Sequence, residues 1–208
     1  MRFADRKEAG ALLAEKLQKY REHAVVYALP RGGVVLGAEI AKALTLPLDL
    51  IISRKIGHPA NPEYAICAVT ETGPLICNEV ERANADAAWL ARAEAAERAE
   101  ARRRRETYLA DRQPIPAVKK TAILVDDGVA TGLTMLAAIE EVKKQKPKQT
   151  VVAVPVLPRD IADDIRSKVD VLVSLDIPTL YLGAVGAYYH DFPQLKDDEV
   201  IKLLEHPL

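Results

Sequence analysis

The sequence predicts an α/β fold built on a parallel sheet flanked by helices, and three observations carry that expectation. Short apolar runs alternate with amphipathic stretches along most of the 208 residues, the pattern of strands joined by helical crossovers. AVVYAL (24–29), VVLGAEIAKAL (34–44) and LDLIISRK (48–55) read as strand, helix, strand, which is a βαβ unit with a right-handed crossover. With 49% hydrophobic and 28% charged residues, the composition is that of a globular chain with a sizeable core.

The elements follow in order. DRKEAGALLAEKLQKY (5–20) places Ala9, Leu12, Leu13, Leu17 and Tyr20 on one helical face, with Asp5 as its cap. After the βαβ unit, IGHPANPEY (56–64) holds Gly57, Pro59 and Pro62 and is expected to be irregular. AICAVTE (65–71) and LICN (75–78) flank Thr72-Gly73-Pro74 as a hairpin. From 79 to 112 alanine, glutamate and arginine dominate, and a long helix or helical pair is expected there with Trp89 as its large anchor. Its basic run, Arg102 to Arg105, has acids on both sides and reads as a solvated face. QPIPAVKK (113–120) closes this helical insertion. The alternation then resumes: TAILV (121–125), TVVAVPVL (150–157) and VDVLVSL (169–175) are strands, and LTMLAAIEEVKKQ (133–145) and RDIADDIRSK (159–168) are helices. The segment 177–195 is aromatic and irregular, and DDEVIKLLEH (197–206) ends as a helix. One domain is expected over 1–208.

Composition narrows the partners. With 29 basic and 30 acidic residues the net charge is −1, which offers no global attraction for nucleic acid or an anionic membrane. Cys67 and Cys77 read as free thiols in a reducing compartment, because a chain of this size needs no staple. MRFADRKEAG (1–10) is charged, and no stretch approaches the ~18 apolar residues of a membrane span, so a cytoplasmic location is expected. His23, His190 and His206 show no metal-ligand spacing, and no protein metal centre is expected.

The richest stretch is ILVDDGVATGLTM (123–135). Asp126 and Asp127 sit at the end of an apolar strand, and in an open parallel sheet ligands occupy the crevice beyond such ends. Gly128 to Thr134 leads into a helix whose first amides are unpaired; these amides, the hydroxyls of Thr131 and Thr134, and two glycines make a phosphate pocket. Carboxylates beside a phosphate need something that donates to them, such as sugar hydroxyls or a bound cation. The alternative is that Asp127 only caps the helix and Gly128 only makes a turn.

This register resembles the 5-phosphoribosyl-1-diphosphate (PRPP) binding motif of the type I phosphoribosyltransferases: apolar strand, two acids, small-residue loop, helix. The resemblance implies that Asp126 and Asp127 take the ribose 2′- and 3′-hydroxyls. It implies that Gly128, Val129, Ala130, Thr131, Gly132 and Thr134 surround the 5′-phosphate. In ALPRGGVVLG (28–37), Ala38 stands where a nucleotide P-loop needs lysine. Arg31, Gly32 and Gly33 suit a diphosphate instead, and are similar to the family's diphosphate loop.

The resemblance further implies Mg²⁺ on the leaving diphosphate, helped by Arg31 and Lys55, and a lid at 56–64 near Arg54-Lys55. His58 then reads as a mobile loop residue and Glu63 as a possible substrate contact. It places 177–195 as a hood over the acceptor, where Tyr188, Tyr189 and Phe192 either stack on a ring or pack onto the core. The implied fold is a type I phosphoribosyltransferase-like parallel sheet with a helical insertion (79–112) and this hood. The implied activity is transfer of 5-phosphoribose from PRPP to a nitrogen acceptor, a nucleobase, in a possible homo-oligomer. The alternative is a non-catalytic regulatory protein that binds PRPP or a nucleotide. Where 6-oxopurine members carry an aspartate that handles the purine N7 proton, this chain has Ala130, which departs from that pattern.

Overall fold

The computed structural model describes residues 1–110 and 112–205, so Asp111 and the expected helix end at His206 lie outside the described residues. Helix α1 (Arg6–Lys16) begins at Asp5, whose carboxylate accepts from the amides of Lys7 and Glu8. A 3₁₀ turn at Gln18–Tyr20 follows. Strand β1 (Ala24–Ala28), helix α2 (Gly33–Leu44) and strand β2 (Leu48–Leu50) form the expected βαβ unit. The chain then makes β3 (Arg54–His58), β4 (Asn61–Val69) and β5 (Ile76–Cys77), followed by helices α3 (Glu79–Asn84) and α4 (Ala87–Leu109). The second series is β6 (Thr121–Val125), α5 (Leu133–Lys143), β7 (Gln149–Val156), α6 (Arg159–Arg166) and β8 (Val171–Asp176), closed by α7 (Asp197–Glu205).

The main sheet has the order β2-β1-β6-β7-β8, and every pairing in it is parallel. Alternate residues face opposite layers. Val26, Ile123, Val125, Val151 and Ala153 meet α1, α2 and α7, while Val25, Tyr27, Leu124, Val152 and Val154 meet α5 and α6. Full burial on both faces explains why these strands read as continuous apolar runs rather than alternating ones. After β1 the chain winds towards β2, and after β6 it winds the other way, so the strand order reverses between β1 and β6. A crevice opens at such a reversal, beyond the carboxyl ends of the two strands.

Three expectations are corrected here. The strand expected over 48–55 stops at Leu50, and Arg54 begins a second, antiparallel sheet of order β3-β4-β5. The segment 56–64 is not irregular: it is the tip of the β3–β4 ribbon, paired from Arg54↔Val69 to His58↔Asn61, with register shifts around Gly57. Pro62 is tolerated because β5 pairs only with Cys67 and Ala68, leaving that end of β4 free on its other side. Cys67 and Cys77 are not free thiols: they lie opposite each other in the β4–β5 register, 4.0 Å apart at Cα, and form a disulfide. Chain length bears on whether a staple is needed, but hairpin register decides whether two thiols meet. No helix among the described residues is long and apolar enough to cross a membrane.

Candidate functional site

The crevice between β1 and β6 is floored by the loop that follows each strand. The amide of Leu29 donates to the carbonyl of Val125 at 2.9 Å, extending the pairing to the strand ends. A Cβ placed on Gly33 would lie 2.7 Å from the Val125 carbonyl oxygen, and one on Gly32 would lie 1.7 Å from Asp127 Oδ2. Only glycine permits this approach, so Gly32 and Gly33 pack directly on the acid pair. The Pro30–Arg31 peptide is cis.

Asp126 Oδ1 accepts from the amide of Asp127 at 2.8 Å. Asp127 Oδ2 accepts from Arg6 Nε at 2.8 Å. Burial and the neighbouring Asp127 charge push the Asp126 carboxyl well above the usual carboxylate range. Burial raises Asp127 too, against the pull of Arg6. The site thus holds two adjacent, desolvated carboxyls and one arginine bound to the second of them.

The loop after the acids has the form expected of an anion cradle. Gly132 caps α5 with φ +81°, a conformation that disfavours any side chain, and no side chain satisfies the first-turn amides. Asp127 therefore does not cap this helix. Ala130 and Thr131 are exposed, Thr134 is half-buried, and Val129 is buried with its amide on the Val156 carbonyl. Gly128 is packed against Val185. The structure thus brings together Gly32, Gly33, Asp126 and Asp127, with the 128–134 loop running on from the acids.

Two predicted residues stand apart from that cluster. Arg31 reaches Asp197 Oδ1 of α7 at 3.6 Å and is one-third exposed. Asp197 also accepts from the Tyr108 hydroxyl at 2.7 Å, and burial followed by that bond pushes the Tyr108 phenol up to about 12. Lys55 does not end the second strand of the main sheet; it lies on β3, exposed, with Glu63 Oε2 at 3.2 Å across the ribbon.

The hood aromatics settle mostly on the side of packing. Tyr188 and Tyr189 are buried. The Tyr189 hydroxyl donates to the Asp127 carbonyl at 2.6 Å, and its ring stacks on Phe192 with centroids 4.8 Å apart. Sequence reasoning missed Arg6, which joins this group, and Tyr181, which stacks on Tyr188 at 5.4 Å. Arg6 did leave a signal. A cation in the first turn of a helix opposes the helix dipole and calls for a compensating partner. Tyr181 lines a groove of about 510 Å³ beyond the ends of β7 and β8, with Pro158, Arg159, Asp160, Asp163, Pro178 and Thr179. Ile161 of α6 would touch a Cβ on Gly132 at 3.0 Å, so the helix that borders this groove also borders the 128–134 loop.

Arg102 to Arg105 is not wholly a solvated face. Arg103 and Arg104 bind Glu100 and hold its carboxyl down at about 2. Arg105 turns inward, donating to the Leu50 carbonyl at 3.0 Å and meeting Asp49 Oδ1 at 3.3 Å.

A family model for the phosphoribosyl transferase domain matches residues 3–191, nearly the whole chain. The chain belongs to this family. It is 39% identical over 206 residues to a Mycobacterium tuberculosis H37Rv protein provisionally named a phosphoribosyl transferase, covering 98% of this chain and 46% of that one. The chain thus spans about half the length of the curated relatives it matches. Among solved structures, TT1426 from Thermus thermophilus is 42% identical, covers 98% of both chains and superposes with a TM-score of 0.81. The AQ2163 protein of Aquifex aeolicus, 12% identical over 86% of this chain and 78% of that one, shares the fold with a TM-score of 0.52. The α/β fold and the family assignment follow.

Proposed function

We propose that the chain transfers 5-phosphoribose from PRPP to a nitrogen acceptor, with release of diphosphate. The observation that carries this reading is the contact of the Gly32 backbone with Asp127 at the reversal of the sheet. It puts a diphosphate-type loop and a diol-type acid pair within one sugar's length of each other. Asp127 Oδ2 accepts from Arg6 and Asp126 Oδ1 from the Asp127 amide, and two adjacent ribose hydroxyls would engage the other oxygen of each acid. The uncapped first turn of α5 takes the 5′-phosphate, and Arg31, Gly32 and Gly33 take the diphosphate.

Among the described residues no group of three or more His, Cys, Asp or Glu forms a metal cage. Mg²⁺ keeps waters and is held by one or two carboxylates plus substrate phosphates, which here would be Asp126 or Asp127. When bound it neutralises charge on the departing diphosphate. The protein's own work is positioning. The acids and the α5 amides hold the sugar from two sides, Arg31 exchanges Asp197 for the leaving group, and the exposed β3–β4 tip closes to exclude water from an oxocarbenium-like centre. The acceptor lies in the groove beside Tyr181.

The test is incubation with PRPP, Mg²⁺ and a panel of bases, with diphosphate release as the readout. Base-dependent release is expected from at least one acceptor other than hypoxanthine and guanine, since Ala130 brings no titratable group to the loop. Tight PRPP binding without release on any base would replace the enzyme with a PRPP-binding regulator. Absence of PRPP binding would overturn the reading of the site.

A further inference from the structure

Arg6 has no part in holding the donor as just described, yet it is bound to the centre of the site. It stands in the first turn of α1 and is 8% exposed. Its Nε donates to Asp127 Oδ2 at 2.8 Å, one terminal nitrogen donates to the Pro193 carbonyl at 2.8 Å, and its guanidinium lies 3.7 Å from the Phe192 ring centroid. Phe192 stacks on Tyr189, and the Tyr189 hydroxyl returns to the Asp127 carbonyl. Arg6, Asp127, Tyr189 and Phe192 thus close a ring around one acid. Backbone bonds from Phe3 to Tyr188, from His190 to Phe3 and from Asp191 to Ala4 knit the two segments that supply it. A Cβ on Gly32 would sit 3.1 Å from Arg6 Nε, so the diphosphate-type loop lies over the same pair.

We propose that Arg6 is the positioning residue of the acid pair: it ties one oxygen of Asp127 to α1 and the 185–193 segment, fixes the other towards a sugar hydroxyl, and so sets selectivity for a ribose diol. The proposal rests on the phosphoribosyl reading above. Its physical basis is the carboxylate torsion. A carboxylate held at neither oxygen turns about its terminal bond, whereas one oxygen held by a planar, doubly anchored guanidinium leaves the second with a single direction. A lysine at this place has one point charge and cannot serve both Asp127 and Pro193 with the same geometry. Arg6 also offsets negative charge on Asp127 beside a site meant for phosphates, which an uncharged donor would not do.

Calorimetry on the full chain with ribose 5-phosphate and its 2-deoxy and 3-deoxy counterparts tests this. The native chain should prefer the full sugar over at least one deoxy sugar by roughly tenfold or more, the size of a hydrogen bond to a charged group. Arg6→Lys and Arg6→Gln should each cut that preference to less than about threefold, with binding of the deoxy sugar changed by less than about twofold. A merely structural arginine would weaken all three sugars in parallel, and that result, or an unchanged preference in both variants, overturns the proposal. Should Arg6→Gln fail to fold, Arg6→Lys, which keeps charge and stem, carries the test alone. A native chain indifferent to both hydroxyls would instead sink the phosphoribosyl reading on which the proposal stands.

Discussion

Asp126 concentrates the conflict between stability and binding. Its carboxyl is desolvated and faces a second carboxyl, and both effects raise its proton affinity in the folded chain. In the unfolded chain it returns to its ordinary value of 3.8. Below that pH both states hold the proton and the acid costs nothing. Above it the unfolded state ionises first, so stability falls with rising pH until the folded carboxyl ionises as well. Asp126→Asn keeps the acceptor for the Asp127 amide but removes the titration. It should melt higher than the native chain near neutral pH, by about 2–4 °C for each kcal/mol relieved, and lose that advantage as the pH falls towards the ordinary aspartate value. A gap that does not change with pH would assign the difference to something other than ionisation.

At the scale of elements, the β3–β4 ribbon matters most. Gly57, Pro59 and Pro62 spoke for irregular chain because they are poor ladder residues. The ribbon forms regardless, since Ile56, Ile66, Cys67 and Val69 bury one side of its base against Leu90. Its tip, from Pro59 to Tyr64, remains exposed. A base anchored by packing and a tip with few buried contacts is the arrangement of a moving flap. Amide exchange in the tip should be fast in the free chain and slow by roughly tenfold or more with PRPP and Mg²⁺ bound, while the base stays protected throughout. Equal rates with and without ligand would exclude the ribbon as a lid and leave Lys55 and Glu63 as an ordinary surface pair.

Across the whole molecule, α4 is the member that joins the two sheets. Leu90 packs on the ribbon, whereas Ala101, Tyr108 and Leu109 belong to the core beneath the main sheet. Polar ties follow the same route: Arg54 to Glu97 at 2.8 Å, Arg98 to the Thr70 carbonyl at 2.8 Å, and Arg105 to Asp49 and Leu50. The region read as an insertion is therefore stitched to the sheet edge. Asp49 is buried, and its other bonds are to the amides of Leu50 and Ile115, so Arg105 is its charged partner. Arg105→Ala should lower unfolding free energy by about 3 kcal/mol, the cost of leaving a buried charge unpaired. Denaturant titration measures it, and a loss under about 1 kcal/mol would show that the Arg105–Asp49 pair does not hold α4 to the sheet edge.

The sequence by itself determined the α/β class, the βαβ unit, the second strand–helix series and the acid–loop–helix register at 121–145, because each of these is written in neighbouring residues. Apolar runs, periodic faces and a strand-end motif depend on local spacing, which sequence displays directly. Tertiary structure alone decided the rest. Strand order created the reversal between β1 and β6, hairpin register joined Cys67 to Cys77, and close packing turned Tyr188 and Tyr189 inward. Arg6 meets Asp127 across 121 residues of chain, and no local pattern encodes which distant charge a buried guanidinium will find. Partners of that kind are selected by desolvation. Once the core closes over Arg6, the pairing of its charge is enforced by the cost of leaving it alone.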